Sequence, residues 1–218
     1  LRYLFKNYFS EENIYVVPNG CDVILPSSKK NGADKISILY FSNLLQSKGL
    51  GDLVKATTHL KKSTRDSIEI NAVGAWYDND FRHACENKVK SELLPIKFHS
   101  PTTGNDKWEF FLNADLFVFT PNKPEGHPWS IVEAMAAALP IISTDQGAIT
   151  ESVLDGENGF IVESYAPKKI AEKLEILIND TNLRQSMGEQ SRSFYEEKFT
   201  ESTMVEKLKQ VFHQVLKQ

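Results

Sequence analysis

The chain has 218 residues, of which 41% are hydrophobic and 25% are charged, and its formal net charge is −4. This length suffices for a substantial core in one or two domains, and the composition is that of an ordinary globular protein. The acidic balance argues against a general nucleic-acid-binding protein, which would normally be basic.

Predicted strands and helices alternate along the chain. The hydrophobic patterns predict strands over residues 36–41, 68–73, 96–99, 116–119, 141–143 and 159–162. They predict helices over residues 50–60, 81–94, 106–113, 130–138, 167–178, 183–199 and 201–216. Such alternation is typical of an α/β fold, here a Rossmann-like, doubly wound sheet of mostly parallel strands with helices on both faces.

The first fourteen residues stand apart from this alternation. The chain starts at Leu1 rather than at a methionine, and its first dozen residues resemble a leftover helix. We therefore expect residues 1–14 to be the remnant of a preceding domain or linker, and residues 15–218 to form one domain.

Two glutamates, Glu125 and Glu133, lie between the fourth and fifth predicted strands, one in the loop and one in the helix that follows. In an α/β sheet, ligands bind at the loop that leaves a strand and enters a helix. The helix N-terminus offers free N–H groups and a positive dipole end, which suit phosphate. Carboxylates are instead suited to accept hydrogen bonds from hydroxyls. The combination predicts a ligand with both phosphates and hydroxyls, such as a nucleotide sugar.

The same region carries a longer motif, Glu-Gly-x-Pro-x-x-x-x-Glu-Ala-Met-Ala-x-x-x-Pro, over residues 125–140. It resembles the donor-binding motif of glycosyltransferase family 4, the retaining GT-B transferases. The similarity continues through residues 141–151 and 155–162, and residues 16–22 and 47–49 also fall where the family places them. It therefore spans nearly the whole chain.

The resemblance implies that this chain is the C-terminal, donor-binding half of a GT-B fold. The donor would be a UDP- or GDP-linked sugar, and a missing N-terminal domain would hold a hydroxyl acceptor, which could be peripheral to a membrane. The family suggests bacterial polysaccharide or glycolipid biosynthesis in the cytoplasm, with the inner face of the membrane as a further location for the full-length protein, and without a bound metal or other cofactor. The last helix would pack on the missing domain, which leaves Val211, Phe212 and Val215 partly uncovered.

The resemblance also assigns roles to three charged side chains. Glu125 would accept hydrogen bonds from sugar hydroxyls near the reacting carbon, and Glu133 from the ribose hydroxyls. Lys48 would stabilise the negative charge that develops on the leaving diphosphate. The plainer alternatives are that both carboxylates only stabilise the helix N-terminus through its dipole, and that the lysine is a solvated surface residue.

The corner between strand and helix consists of Gly126, His127, Pro128, Trp129 and Ser130. The backbone N–H groups of all but the proline are candidates to hold the sugar and the diphosphate. The histidine is also a candidate to stabilise the leaving phosphate, although a structural role is commoner for a loop histidine. We expect the tryptophan side chain to be a core anchor.

The chain departs from the family pattern at three positions. Asn43 stands where an arginine is usual, so it can hydrogen-bond a phosphate or sugar oxygen but brings no charge. Residues 73–76 are Val-Gly-Ala-Trp where the family often has a Gly-x-Gly turn, and Gly74 is still expected to form a tight turn near the nucleotide. Gly147 does match the family, in a loop over the donor, and is expected to relieve backbone crowding. Ala138 replaces a usual glycine, a change expected to matter little. Residues 98–101 are candidates to contact the base, or are structural.

Other chemistries lack their motifs. There is no Gly-x-Gly-x-x-Gly after a strand, no P-loop and no Gly-x-Ser-x-Gly elbow. Cys21 and Cys85 show no metal-ligand spacing and no disulfide framework, which favours a reducing setting. Three alternatives stay open: a GT-B nucleotide-sugar epimerase, a phosphorylase-like enzyme, and a non-catalytic nucleotide-binding module.

Overall fold

A computed structural model describes residues 5–23 and 35–217. Within these ranges the strands β1 to β6 are Ile36–Phe41, Ile68–Val73, Ile96–His99, Leu116–Phe119, Ile141–Thr144 and Gly159–Val162. The helices α1 to α8 are Leu50–His59, Lys62–Asp66, Asn79–Ser91, Gly104–Leu112, Trp129–Ala136, Pro167–Asn179, Thr181–Lys198 and Glu201–Val215. Short 3-10 helices cover Glu11–Asn13, Gln46–Lys48 and Ile149–Glu151.

The six strands form one sheet in the order β3-β2-β1-β4-β5-β6, and all neighbouring pairs are parallel. The chain therefore builds the sheet outward in one direction from β1 and in the other direction from β4. Because crossovers between parallel strands are right-handed, reversing the direction puts the connecting helices on opposite faces. This is the Rossmann-like, doubly wound α/β fold that the sequence predicts, and its switch point lies between β1 and β4.

The core lies between this sheet and its helices. The central strands are apolar on both faces, as expected for a parallel sheet covered on both sides. Tyr40 of β1 and Phe117 and Phe119 of β4 are among the largest fully buried side chains, with Phe111 of α4. The rings of Phe111 and Phe117 stack with their centroids 5.8 Å apart.

Several predicted boundaries were wrong for local reasons. Helix α2 was missed because it has five residues and buries only Thr64, so it shows no apolar period. Helix α3 begins at Asn79, before the predicted start, because the Asp78 side chain accepts a hydrogen bond from the Phe81 N–H at 2.9 Å. The expected N-terminal helix is not observed over residues 5–13, which form turns and a 3-10 helix.

Helix α5 ends earlier than predicted, at Ala136, in a left-handed C-terminal turn. Ala138 has a φ of 56°. Its N–H donates to the Met135 carbonyl, and the Leu139 N–H donates to the Ala134 carbonyl, each at 3.0 Å. These two bonds define a Schellman motif, in which glycine is the preferred left-handed residue. The expectation that alanine matters little here was therefore wrong, because its Cβ makes this backbone conformation costly.

The last helix, α8, covers no core. None of its residues is buried, and Phe212 is 62% exposed. Val215 is also exposed, which agrees with the expected uncovered apolar face. At its start, the Glu201 N–H donates to the Cys21 carbonyl at 3.1 Å, so the helix is tied to the segment that precedes the sheet.

Candidate functional site

A cleft of about 560 Å³ opens at the carboxyl ends of β1, β2 and β4, across the switch point of the sheet. Ten residues that the sequence analysis proposed for the site line it: Asn43, Lys48, Gly74, Glu125, Gly126, His127, Pro128, Trp129, Ser130 and Glu133. Eight further residues complete the lining: Phe41, Ser42, Val73, Ala75, Pro101, Thr102, Lys107 and Phe119.

Lys48 and Glu125 meet inside this cleft. Nζ of Lys48 lies 2.6 Å from Oε1 of Glu125, and both side chains are mostly buried. Lys48 ends a 3-10 helix and is followed by Gly49, which has a φ of 84°. A Cβ on Gly49 would lie 1.9 Å from the Thr120 carbonyl oxygen, so only glycine allows the loops after β1 and β4 to approach this closely.

Glu133 forms a second ion pair in the cleft. Its Oε1 lies 2.7 Å from Nζ of Lys107, on α4. Burial raises the pKa of Glu133, and the hydrogen bond and charge of Lys107 oppose that rise. Sequence reasoning missed Lys107, although the first turn of a helix after β3 lies at the same edge of the sheet as the predicted site.

The backbone at Glu125 is held by the loop after β5. The Ala148 N–H donates to the Glu125 carbonyl at 3.2 Å, and Gly147 pairs with Glu125 in an isolated bridge. Gly147 has a φ of 71°, and a Cβ there would lie 1.8 Å from the Glu125 carbonyl oxygen. The prediction that Gly147 relieves backbone crowding is confirmed. That this loop covers a bound donor stays a prediction.

The His127 ring is a structural element of the corner. The Asn19 N–H donates to Nδ1 at 3.1 Å, so Nδ1 carries no proton and the neutral ring carries it on Nε2. Nε2 lies 2.7 Å from Oγ of Ser152, and the ring packs on Phe199 with centroids 5.1 Å apart. Burial lowers the pKa of His127. Both ring nitrogens are engaged within the protein, which favours the structural role over stabilisation of a phosphate.

Trp129 was expected in the core, and this was wrong: it is 48% exposed. It is the first residue of α5, whose N-cap is Pro128, and it lines the mouth of the cleft. The first N–H groups of a helix have no partner within the helix. Those of Trp129 and Ser130 therefore stand at the cleft as candidate donors to an anion.

Gly74 lies where the end of β2 approaches the loop after β1. A Cβ on Gly74 would lie 1.9 Å from the Ser42 carbonyl oxygen, so glycine allows the two backbone segments to approach closely. The residue lies in a bend rather than in the expected tight turn. His99 does not line the cleft: Nε2 lies 2.8 Å from Oδ1 of Asn71, and the ring packs on Phe110. It is structural, whereas Pro101 beyond it contributes to the cleft wall.

In residues 5–23 and 35–217, no group of three or more His, Cys, Asp or Glu side chains has the arrangement of a metal site. Cys21 and Cys85 are both buried free thiols. No helix in the described part of the chain has the length and apolar character needed to cross a membrane.

Comparison with known proteins places these features in a family. The model of glycosyl transferases group 1 matches residues 24–194. The chain is 30% identical over 191 residues to the capsular polysaccharide biosynthesis glycosyltransferase CapM of Staphylococcus aureus, covering 85% of this chain and 48% of CapM. It is 23% identical to the uncharacterized glycosyltransferase MJ1069 of Methanocaldococcus jannaschii, covering 98% of this chain and 56% of that protein. The chain thus spans about half the length of the curated relatives it matches.

Solved structures share the fold. A glycosyltransferase from Rickettsia africae superposes with a TM-score of 0.85 at 20% identity, over 99% of this chain and 61% of that one. HepE of Anabaena, in complex with UDP-glucose, superposes with a TM-score of 0.75 at 21% identity, over 85% of this chain and 50% of that one. With the family match covering most of its length, this chain belongs to the glycosyl transferases group 1.

Proposed function

We propose that this chain is the donor-binding domain of a retaining, family 4 glycosyltransferase that moves a sugar from a nucleotide diphosphate sugar to a hydroxyl acceptor. One observation carries the proposal. Two carboxylates, two lysines and the N-terminus of α5 line a single cleft at the switch point of a doubly wound sheet. That set matches a ligand with a diphosphate at its centre and hydroxyl-rich groups at both ends.

The diphosphate belongs at the N-terminus of α5. The N–H groups of Trp129 and Ser130 would bind its oxygens, and the positive end of the helix dipole favours its charge. As the bond between the sugar carbon and the phosphate oxygen breaks, negative charge grows on the leaving diphosphate. Lys48 lines the same cleft, and we propose that it stabilises this charge, which is larger in the transition state than in the ground state.

The two glutamates would hold the ends of the ligand. Glu125 accepts hydrogen bonds from sugar hydroxyls and so orients the reacting carbon, while Glu133 accepts from the ribose. The base then lies toward β2 and β3, where Gly74 and Pro101 line the wall. The uncharged Asn43 would donate to a phosphate or sugar oxygen. The UDP-glucose complex of HepE supports a nucleotide sugar as the ligand. We propose UDP or GDP as its carrier.

The rest of the reaction would involve parts outside this chain. An N-terminal domain would hold the acceptor, so we expect the 218-residue chain to bind donor but to transfer negligible sugar. We propose metal-independent binding and a role in bacterial polysaccharide or glycolipid assembly, with CapM as a supporting relative. Two buried free thiols fit a reducing, cytoplasmic setting, and a membrane-bound acceptor would place the full-length protein at the inner face of the membrane.

Calorimetric titration of the chain with UDP, GDP, ADP and UDP-glucose tests the proposal. We expect one of the diphosphates to bind at a single site, with the same affinity in EDTA. Glu133→Ala should weaken that binding, whereas Glu69→Ala, at an exposed ion pair with Lys97, should not. Failure of all four nucleotides to bind would overturn the proposal.

The non-catalytic alternative has one observation in its favour, since Asn43 brings no charge to the cleft. It predicts nucleotide binding without chemistry. Sugar transfer or slow donor hydrolysis by the full-length protein would exclude it, and the release of an epimerised or phosphorylated sugar would indicate the epimerase or phosphorylase-like enzyme.

A further inference from the structure

The ion pair between Lys107 and Glu133 has features that a surface pair lacks. The two residues are 26 positions apart, on α4 and α5, and both side chains line the cleft. Glu133 is only 7% exposed. The ammonium group of Lys107 also lies 4.8 Å from the ring centroid of Trp108, which helps to fix its position.

A carboxylate as buried as that of Glu133 needs a positively charged partner. An ionised group out of water is costly unless it is paired and hydrogen-bonded. Lys107 occupies Oε1 of Glu133, so Oε2 is the oxygen left to accept from a ligand hydroxyl. A protonated carboxyl would lose acceptor capacity and gain a donor, and it would recognise a pair of hydroxyls poorly.

On the basis of the proposed function, we propose that Lys107 is a positioning residue for Glu133: it keeps the carboxylate ionised and aims its second oxygen at the ribose hydroxyls. Lys107 thereby sets the selection of ribonucleotides over deoxyribonucleotides at this cleft. It acts through Glu133 rather than by binding the diphosphate.

The other titratable groups near Glu133 do not take this role. Burial raises the pKa of the Cys21 thiol to about 12, so it is neutral. His127 hydrogen-bonds to Asn19 and Ser152 instead, and burial lowers its pKa. Among the described residues that line the cleft, the other lysine and glutamate are paired with each other.

Removal of Lys107 should change the pKa of Glu133 in a definite direction. Burial already raises the pKa of Glu133, and Lys107 opposes that rise, so its loss raises the pKa further. Glu133 then takes up a proton at a higher pH. The ionised form of Glu133 is the one that is proposed to bind ribose. As the pH is lowered, the nucleotide affinity of a variant without Lys107 should therefore begin to fall at a higher pH than that of the wild type.

The experiment measures the dissociation constant of UDP-glucose, or of GDP-mannose if that binds more tightly, between about pH 5.5 and about pH 8.5. A nucleotide sugar is used because a terminal phosphate monoester titrates near pH 6 and would obscure the profile. The variants are Lys107→Met, Lys107→Gln and Lys107→Arg, each alone and with Glu133→Gln, with thermal unfolding at each pH as the folding control. The 2′-deoxy analogue of the chosen ligand is titrated in parallel.

In Lys107→Met and Lys107→Gln, the pH at which affinity falls on the acid side should rise by about one unit or more. Lys107→Arg should keep the wild-type profile. The preference for ribose over deoxyribose should shrink at the acid end and return at the alkaline end. With Glu133→Gln, replacing Lys107 should add no pH dependence.

Three results would overturn the inference. The first is a loss of affinity that is equal at every pH, as expected if Lys107 binds the diphosphate directly. The second is an unchanged pH profile, and the third is an unchanged preference for ribose over deoxyribose. If the wild type binds neither nucleotide sugar and none of UDP, GDP and ADP, the proposed function fails and this inference fails with it. Normal binding that depends on Glu133 but not on Lys107 overturns the inference alone.

Discussion

Nζ of Lys48 and Oε1 of Glu125 lie 2.6 Å apart although 77 positions separate the two residues in the chain. Each stands in the loop after its strand, and β1 and β4 are neighbours whose carboxyl ends meet at one edge of the sheet. The proposed donor would have to interact with both groups at once. Its phosphates attract the lysine and its hydroxyls attract the glutamate, so binding exchanges one charge-assisted contact for two.

This pairing predicts a measurable coupling. Lys48→Met should weaken UDP-glucose binding by about tenfold or more, since a hydrogen bond to a charged group contributes about 1.5–3 kcal/mol. In a double-mutant cycle with Glu125→Gln, the coupling in unfolding free energy should be about 1 kcal/mol, because both side chains keep some contact with solvent, which screens the pair. Calorimetry and denaturant unfolding provide the two readouts. Strictly additive effects would show that the contact does not matter.

The two glutamates should have separable effects in the full-length protein. Glu125→Gln should lower the transfer rate about 100-fold with little change in nucleotide affinity, because its contacts orient the reacting centre. Glu133→Ala should raise the dissociation constant of the nucleotide about tenfold or more, with a smaller effect on the rate of the saturated enzyme. Single-turnover kinetics and calorimetry distinguish them. Equal effects on rate and affinity at both positions would contradict the assigned roles.

Gly147 should tolerate no side chain. In Gly147→Ala, the new Cβ must displace the Glu125 carbonyl oxygen, in addition to the cost of a positive φ. Gly156→Ala is the matched control, since Gly156 has a φ of 81° and nothing lies within 4 Å of the built Cβ. We expect about 1–2 kcal/mol of destabilisation for the control and clearly more for Gly147→Ala. Only Gly147→Ala should also weaken donor binding, and similar results for the two would argue against close packing at Glu125.

Ala138→Gly should stabilise the protein. Glycine relieves the left-handed backbone at the end of α5, and we expect a net gain of about 0.5–1 kcal/mol after its larger unfolded-state entropy is counted. For a protein of this size that corresponds to a rise in Tm of about 1–4 °C. Ala137→Gly is the control, since Ala137 has a φ of −84° and gains nothing from glycine. A lower Tm for Ala138→Gly would show that the turn is not strained.

His127 should make the wild type sensitive to acid. Burial holds its pKa below the ordinary value of 6.5, so the neutral ring contributes stability that is present above that pH and is lost as the pH falls through the folded-state pKa. His127→Asn keeps an acceptor for the Asn19 N–H but does not titrate. The stability advantage of the wild type over this variant should therefore shrink from about pH 8 to about pH 5. A constant difference in unfolding free energy would contradict the neutral, buried ring.

The fold and most of the site could be predicted because both are encoded locally. Each central strand is a short apolar run, and the corner after β4 carries its glycine, proline and glutamates within one stretch of residues 125–133. Once the strands alternate with helices, parallel pairing brings their carboxyl ends to one edge. The resemblance to the family pattern added Lys48, Asn43 and Gly74, each of which follows a strand and lines the cleft.

What could not be predicted depends on distances between elements. The contact of Lys107 with Glu133 is fixed by how α4 packs beside α5, and no local pattern distinguishes that lysine from a solvated one. Trp129 was misplaced because a large apolar residue in the first turn of a helix can face the core or the ligand, and only the orientation of α5 decides. The left-handed turn at Ala138 was missed because alanine gives no signal for it.

Asn19 binds His127 twice, through its backbone N–H to the ring and through its side-chain amide to the carbonyl oxygen at 2.5 Å. The peptide after that carbonyl leads directly to Pro128 and the first turn of α5. A shift of Asn19 would therefore also move the corner that faces the proposed diphosphate position. Two hydrogen bonds thus couple the position of residue 19 to that of the first turn of α5, where the donor is proposed to bind.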